Sequence, residues 1–339
     1  MGAIGIYGFG RIGRTLLRTA LQRKLFVPTH VADIKDPATM AALFEVDTNY
    51  GRWPEPVHFG EGSFRIGDRR IAFVDTSASV PDWGALGVEV VVDCSGRATR
   101  RENAQLHVNR GARKVLVSAG SRSLSDCDAV LLPGINLDSY DAKKHHIVSM
   151  GSCTTNALAP VVKVVRENLG IASGFFATVH SYTNTQSLTD QPMKDRRDSW
   201  AAAENIIPSS SGAAKVLLFI WPDLHVTGKA YRVPTRTASI VELVATVERA
   251  TDVDSLRQLF RRAADSPALA GILGVLEEEY ASSRIVGDSR SSIVDLPLIG
   301  VMGDRMISVA AWYDNEYGFC CRLAETAQFL TTKQDLRET

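Results

Sequence analysis

Along the first half of the chain, short β-branched runs alternate with stretches whose apolar residues recur at helical spacing. The runs "AIGIYG" (3–8), "VEVVVDCSG" (88–96), "KVLVSAG" (114–120) and "HHIVSMGS" (145–152) read as strands, and "RIGRTLLRTALQR" (11–23) and "TRRENAQLHVNRG" (99–111) as helices. Such alternation predicts a parallel sheet with right-handed crossovers. Past residue 152 the pattern changes. "GFFATVHSYT" (174–183), "KAYRVPTRTASIVELVATVE" (229–248) and "DRMISVAAWYD" (304–314) are longer strands without a helix after each, which predicts a mixed or antiparallel sheet. Helices are expected at about 157–168, 212–219 and 255–264, and "LAETAQFLTTK" (323–333) reads as a helix returning to the first domain. The fold class is therefore α/β: a Rossmann-type parallel-sheet domain over 1–152, completed by a C-terminal helix over 316–339, plus an α+β domain with a mixed or antiparallel sheet over 153–315.

A length of 339 residues suits two such domains, and 45% apolar composition is that of a globular chain. Lysine plus arginine equals aspartate plus glutamate at 38 each, so no global field draws the chain to nucleic acid or a membrane surface. Five cysteines without paired spacing suit reduced thiols and a cytoplasmic location better than a disulfide framework. No metal site is expected.

Gly8, Gly10 and Gly13 in "YGFGRIG" form G-x-G-x-x-G directly after a strand and at the opening of a helix, and Asp33 follows twenty residues past Gly13 at the end of "THVAD". The glycines allow close backbone approach, the helix N-terminus faces a pyrophosphate, and the carboxylate accepts from ribose hydroxyls while repelling a 2′-phosphate. NAD is the expected cofactor, with Lys35 and Arg11 as nearby cations that oppose the preference.

Cys153 stands where a polar cluster meets a helical apolar run, Leu158, Val161, Val162, Val165 and Leu169. A helix N-terminus favours thiolate, while Pro160 predicts a kink or a late regular start. His180, at the end of a strand and the start of the long polar stretch 181–207, is the candidate base. From these residues alone, both a structural thiol and a catalytic one remain open.

Five segments, "GFGRIGR" (8–14), "SCTTN" (152–156), "NIIPSSSGAAK" (205–215), "RVPT" (232–235) and "WYDNEYG" (312–318), together resemble the phosphorylating glyceraldehyde-3-phosphate dehydrogenases, in that family's order and over nearly the whole chain. The resemblance implies Cys153 as nucleophile and His180 as its base. It places Gly8, Phe9, Gly10, Arg11, Ile12, Gly13, Asp33 and Ser118 at the cofactor, with Asn315 on the nicotinamide carboxamide and Tyr317 beside it. Thr183, Thr185 and Arg232 resemble the site for the substrate's terminal phosphate, and Ser152, Thr154, Ser211 and Gly212 the site of the attacking phosphate. The implied partners are a small phosphorylated aldehyde and inorganic phosphate, in a homotetramer. Pro192 after Asp190 resembles the NAD-preferring form of the long loop.

Several positions depart from that pattern. Tyr7 and Ala32 stand where the family usually has asparagine, and Ala157 where it has a second cysteine. Trp200 stands where an arginine normally serves the attacking phosphate, and an indole offers no planar cation to an oxyanion. Other readings are therefore kept: a hydrolytic relative similar to the erythrose-4-phosphate dehydrogenases, a paralogue using another oxyanion such as arsenate, and a non-catalytic NAD-binding regulatory protein.

Overall fold

The computed structural model describes residues 2–121 and 123–333. Residues 334–339, part of the expected C-terminal helix, lie outside the described residues. The chain divides into two units, residues 1–151 with 320–339, and residues 152–319.

The first unit is built on a nine-stranded sheet. Its parallel core comprises β1 (Ala3–Tyr7), β2 (His30–Asp33), β3 (Arg69–Asp75), β4 (Val88–Asp93), β5 (Lys114–Val117) and β6 (Ile147–Ser149), continued beyond β6 by the short parallel strand Ala129–Val130. Two short antiparallel strands, Val57–Gly60 and Ser63–Ile66, extend one edge. β1 lies between β2 and β4, so the chain's direction of travel across the sheet reverses there. In open α/β sheets the crevice at the carboxyl ends of such a pair is where ligands bind. Helix α1 (Arg11–Gln22) buries Leu16, Leu17, Ala20 and Leu21, and β1 contributes buried Ile4 and Ile6. From Cys320 onward the last helix, Tyr317–Thr332, belongs to this unit. An Arg23–Glu325 ion pair at 2.6 Å and a Gln328 bond to the Leu25 carbonyl hold it there.

The second unit carries an eight-stranded mixed sheet with α2 (Cys153–Leu169) lying against it. Strand β7 (Ser173–Ser181) pairs in parallel with β8 (Val226–Val233) and antiparallel with β9 (Ser239–Thr246), which in turn pairs antiparallel with β10 (Met306–Tyr313). Strict alternation in β9 buries Ser239, Val241, Leu243 and Ala245 and leaves the residues between them facing outward. The remaining expected helices are shifted, to Ala213–Leu217 and Val253–Ala264. The latter begins earlier because Asp252 caps it, accepting from Ser255 N–H. Among the described residues no helix is long and apolar enough to cross a membrane.

Candidate active site

The "SCTTN" segment is first a helix start. Gly151 turns the chain at φ 64°, Ser152 is the N-cap, and Ser152 and Thr155 exchange side-chain and backbone hydrogen bonds in a capping box. Asn156 Nδ2 donates to the Ser152 carbonyl at 3.0 Å. A cap of this kind contributes about 1 kcal/mol and nucleates the helix at Cys153. The expected late start is therefore not seen: Pro160 lies inside the helix. Proline there forfeits one backbone bond, which the buried run Leu158, Val161, Val162 and Val165 offsets.

His180 is presented by the last turn of alternation in β7, on the same face as buried Phe176 and Thr178. Its Nε2 lies 3.3 Å from Cys153 Sγ, and its Nδ1 lies 2.7 Å from the Ser181 carbonyl. The ladder register sets His180 directly beside Arg232, whose Nη1 reaches both Nδ1 (2.5 Å) and the Ser181 carbonyl (3.2 Å). A neutral Nδ1 cannot donate to the carbonyl and accept from the guanidinium at once. The carbonyl accommodates both donors, so the self-consistent arrangement has Nδ1–H and Arg232 sharing Ser181 O, with the Nε2 lone pair facing the thiol. Burial, and then the Arg232 charge, press the His180 pKa down to about 3, so the imidazole is neutral near neutral pH.

For Cys153 the largest influence is burial, which pushes the thiol up; Arg232 and the first-turn N–H groups pull it down. The thiolate expected from the helix N-terminus is thus not the resting form, because desolvation outweighs the end of one helix. The resting pair is thiol and neutral imidazole, and it is the 3.3 Å contact that puts the imidazole within reach of the thiol proton. The five cysteines are present as thiols rather than as disulfides. Burial likewise raises Cys94, Cys127 and Cys321, the last to about 11, and Cys153 alone among them bonds an imidazole.

The hydroxyls assigned to anions divide. Thr183 and Thr185 share a 3.2 Å contact in one turn, and Gln186 Oε1 accepts from both the backbone and hydroxyl of Thr183. Gln186 is itself held by buried Asp198 at 2.8 Å. Arg232 Nε is buried without a partner, a donor left for a ligand. Ser211 accepts from Ala213 N–H, and Gly212 is exposed at a helix start. Thr154, by contrast, is buried with its hydroxyl 3.0 Å from Tyr313 OH, and Ser152 Oγ serves the cap. Tyr313 also reaches Thr178, tying helix to sheet beneath the sulfur. Sequence reasoning passed over Tyr313 although it sits inside "WYDNEYG". Trp200 is 54% exposed.

The first unit shows why its glycines are spaced as they are. Gly8 has φ 91°, and a Cβ there would meet Ser95 N at 2.6 Å; a Cβ on Gly13 would meet the Gly8 carbonyl at 2.1 Å. A Cβ on Gly10 would meet nothing within 4 Å, so the helix start is open at that point, and backbone N–H groups at such an end can receive an anion. Asp33 binds the turn itself, accepting from Phe9 N–H (2.6 Å), Ile34 N–H (2.7 Å) and Lys35 N–H (3.0 Å). Phe9 is buried against Phe44 and Phe64, and Arg11 is paired with Asp47 at 2.6 Å. Ser118 follows β5, its N–H on the Asp93 carbonyl. The turn facing Gly8 is braced by a buried chain: Trp83 Nε1 donates to His107 Nδ1 (2.9 Å), Nε2 meets Asp93 (3.1 Å), and Asp93 accepts from Ser95 (2.8 Å). Gly13→Ala forces backbone movement at that contact; an expected loss of about 1–3 kcal/mol, with weakened NAD binding, can be read from melting and calorimetry.

Asn315, in the second unit, has its Oδ1 within 3.1 Å of both Ser181 Oγ and Ser239 Oγ. Tyr317 opens the last helix, its N–H on Asp314 Oδ1. Residues 2–101 match the family model described as glyceraldehyde 3-phosphate dehydrogenase, NAD binding domain, and residues 152–315 match the C-terminal domain of the same name. The glyceraldehyde-3-phosphate dehydrogenase of Kitasatospora aureofaciens is 44% identical over 339 residues, covering 98% of this chain and 100% of its own. That of Geobacillus stearothermophilus is 39% identical over 333 residues, 97% and 98% of the two chains, and glyceraldehyde-3-phosphate dehydrogenase 1 of Bacillus cereus is 40% identical over 337 residues, 98% and 99%.

Proposed function

Because the chain belongs to the glyceraldehyde-3-phosphate dehydrogenase family, an NAD-dependent oxidoreductase family, we propose that it oxidises glyceraldehyde 3-phosphate or a close phosphorylated aldehyde and releases the acyl group to inorganic phosphate. The observation that carries this reading is the Cys153–His180 contact at 3.3 Å, with the far ring nitrogen on a carbonyl. Cys153 Sγ attacks the aldehyde carbon while its proton passes to His180 Nε2, and the adduct is a thiohemiacetal. The Cys153 backbone N–H and the protonated imidazole stabilise the oxygen as charge develops on it. His180, returned to its neutral form, takes the hydroxyl proton of the adduct as the carbonyl of a thioester forms. NAD, when bound, supplies the hydride acceptor. Phosphate then attacks the thioester carbon, the C–S bond breaks, and the sulfur recovers its proton from His180.

The residues present suit the cofactor. The open space over Gly10, the backbone N–H groups of Arg11 and Ile12 at a helix start, and half-exposed Asp33 form an anion seat beside a hydroxyl acceptor. Gly8, Phe9 and Gly13 shape that turn, Ser118 adjoins it in the fold of the same unit, and Asn315 with Tyr317 would serve the nicotinamide end. Thr183, Thr185 and Arg232 would take the substrate phosphate, supported by the unpartnered Arg232 Nε. Exposed Leu188, Trp200 and Ile206 in the long loop support its burial against another subunit of a homotetramer.

Trp200 and the engaged hydroxyl of Thr154 favour a second reading, in which water releases the thioester. The two separate in one assay, the appearance of reduced cofactor from NAD and glyceraldehyde 3-phosphate with and without phosphate. Turnover that needs phosphate is expected; equal turnover without it refutes the phosphorolytic step. Trp200→Arg restores a cation able to bind an oxyanion and is expected to lower the KM for phosphate about tenfold, the scale of one charged hydrogen bond. An unchanged KM excludes that position from the phosphate site.

A further inference from the structure

We propose that Ser181 and Ser239 are positioning residues that lock the Asn315 amide in one of its two orientations, carbonyl inward and amino group outward, so that the protein selects cofactors by a hydrogen-bond acceptor on the nicotinamide substituent. This rests on the reading of Asn315 as the residue that meets that substituent.

Proton bookkeeping carries the assignment. Ser239 Oγ accepts the Ser181 N–H at 3.2 Å, so its own proton goes elsewhere, and Asn315 Oδ1 lies 3.1 Å away. Ser181 Oγ lies 3.1 Å from the same oxygen. Thr237 Oγ1 is 3.5 Å from it but 3.3 Å from Asp314 Oδ1, and the nearer, charged carboxylate takes its single proton. Two serine donors therefore converge on one atom, which must be an acceptor. Rotating the amide by half a turn would aim N–H groups at both hydroxyls, one of which already receives a backbone N–H. Ser181, Ser239 and Asn315 are 0%, 2% and 6% exposed, so water is poorly placed to repair the loss. Asn315 Nδ2 has no partner among the described residues.

The outward group is a donor of fixed orientation. It complements a carbonyl oxygen and opposes an amine. Ser181 acts twice: its carbonyl orients His180 and its hydroxyl orients Asn315, so the base and the cofactor-facing amide are set by one residue.

Calorimetric dissociation constants test this with two cofactor analogues, 3-acetylpyridine adenine dinucleotide, which keeps the acceptor and lacks the amine, and 3-aminopyridine adenine dinucleotide, which has only a donor. The native protein is expected to prefer the acetyl analogue by about tenfold. In Ser181→Ala/Ser239→Ala the amide turns freely, and the preference shrinks about fivefold because the amino analogue binds better. General damage to the fold cannot raise an affinity. Ser181→Ala alone, expected to move the preference in the same direction, serves if melting shows the double variant unfolded. Unchanged preference in the serine variants, with loss of preference in Asn315→Ala, overturns the lock and leaves the Asn315 reading standing. Unchanged preference in Asn315→Ala removes the premise itself.

Discussion

Cys153→Ser is expected to lower turnover by about 10⁴-fold or more while leaving NAD affinity unchanged. Serine fills the same first-turn position and retains the capping box of Ser152 and Thr155, so the helix start survives. What is lost is the chemistry. His180, with a pKa near 3 in this setting, is a weak base, and it can share a proton with a thiol far more readily than with a hydroxyl whose own acidity is much lower. Steady-state rates beside calorimetric NAD binding check both halves. Measurable turnover near the native rate refutes the nucleophile; lost NAD affinity shows that the variant reports on folding instead.

His180→Asn should lower the rate of covalent adduct formation by about 10²–10⁴-fold. Asparagine keeps polarity and approximate shape but accepts no proton at working pH. The same variant has a signature in stability. The folded-state pKa of about 3 lies below the unfolded value of 6.5, so between these values only the unfolded chain binds the proton, and native stability falls as pH drops through that window. At about pH 5 this costs the native protein roughly 2 kcal/mol, which the asparagine variant does not lose. Melting temperatures near pH 7 and pH 5 therefore converge in the variant relative to the native chain. If both proteins lose equal stability on acidification, His180 is not buried and neutral; if adduct formation is unimpaired, it is not the base.

Much of the architecture was legible because its causes are local or periodic. The strand–helix alternation before residue 152 and the longer strands after it separated a parallel sheet from a mixed one, and "YGFGRIG" with Asp33 described a turn whose glycines are each explained by a contact or an opening. At the helix beginning at Cys153 two local signals compete: Pro160 by itself points to a kink or a late start, while the Ser152–Thr155 box a few residues earlier nucleates the helix at Cys153.

What lay beyond one-dimensional reading were quantities summed over partners far apart in the chain. Which face of β7 carries His180 follows from packing of Phe176 and Thr178 against the rest of the unit, and Arg232 stands beside it through the register with a strand fifty-two positions on. Tyr313 beneath the sulfur and the serines around Asn315 belong to three different strands and a loop. The protonation of the thiol turned on desolvation, which no short segment can state. Residue spacing along the backbone specifies caps, turns and periodic faces because those interactions span a few residues. Registry between strands and the loss of water around a charge exist only once distant segments have met, so the chemistry of the pair was settled by packing.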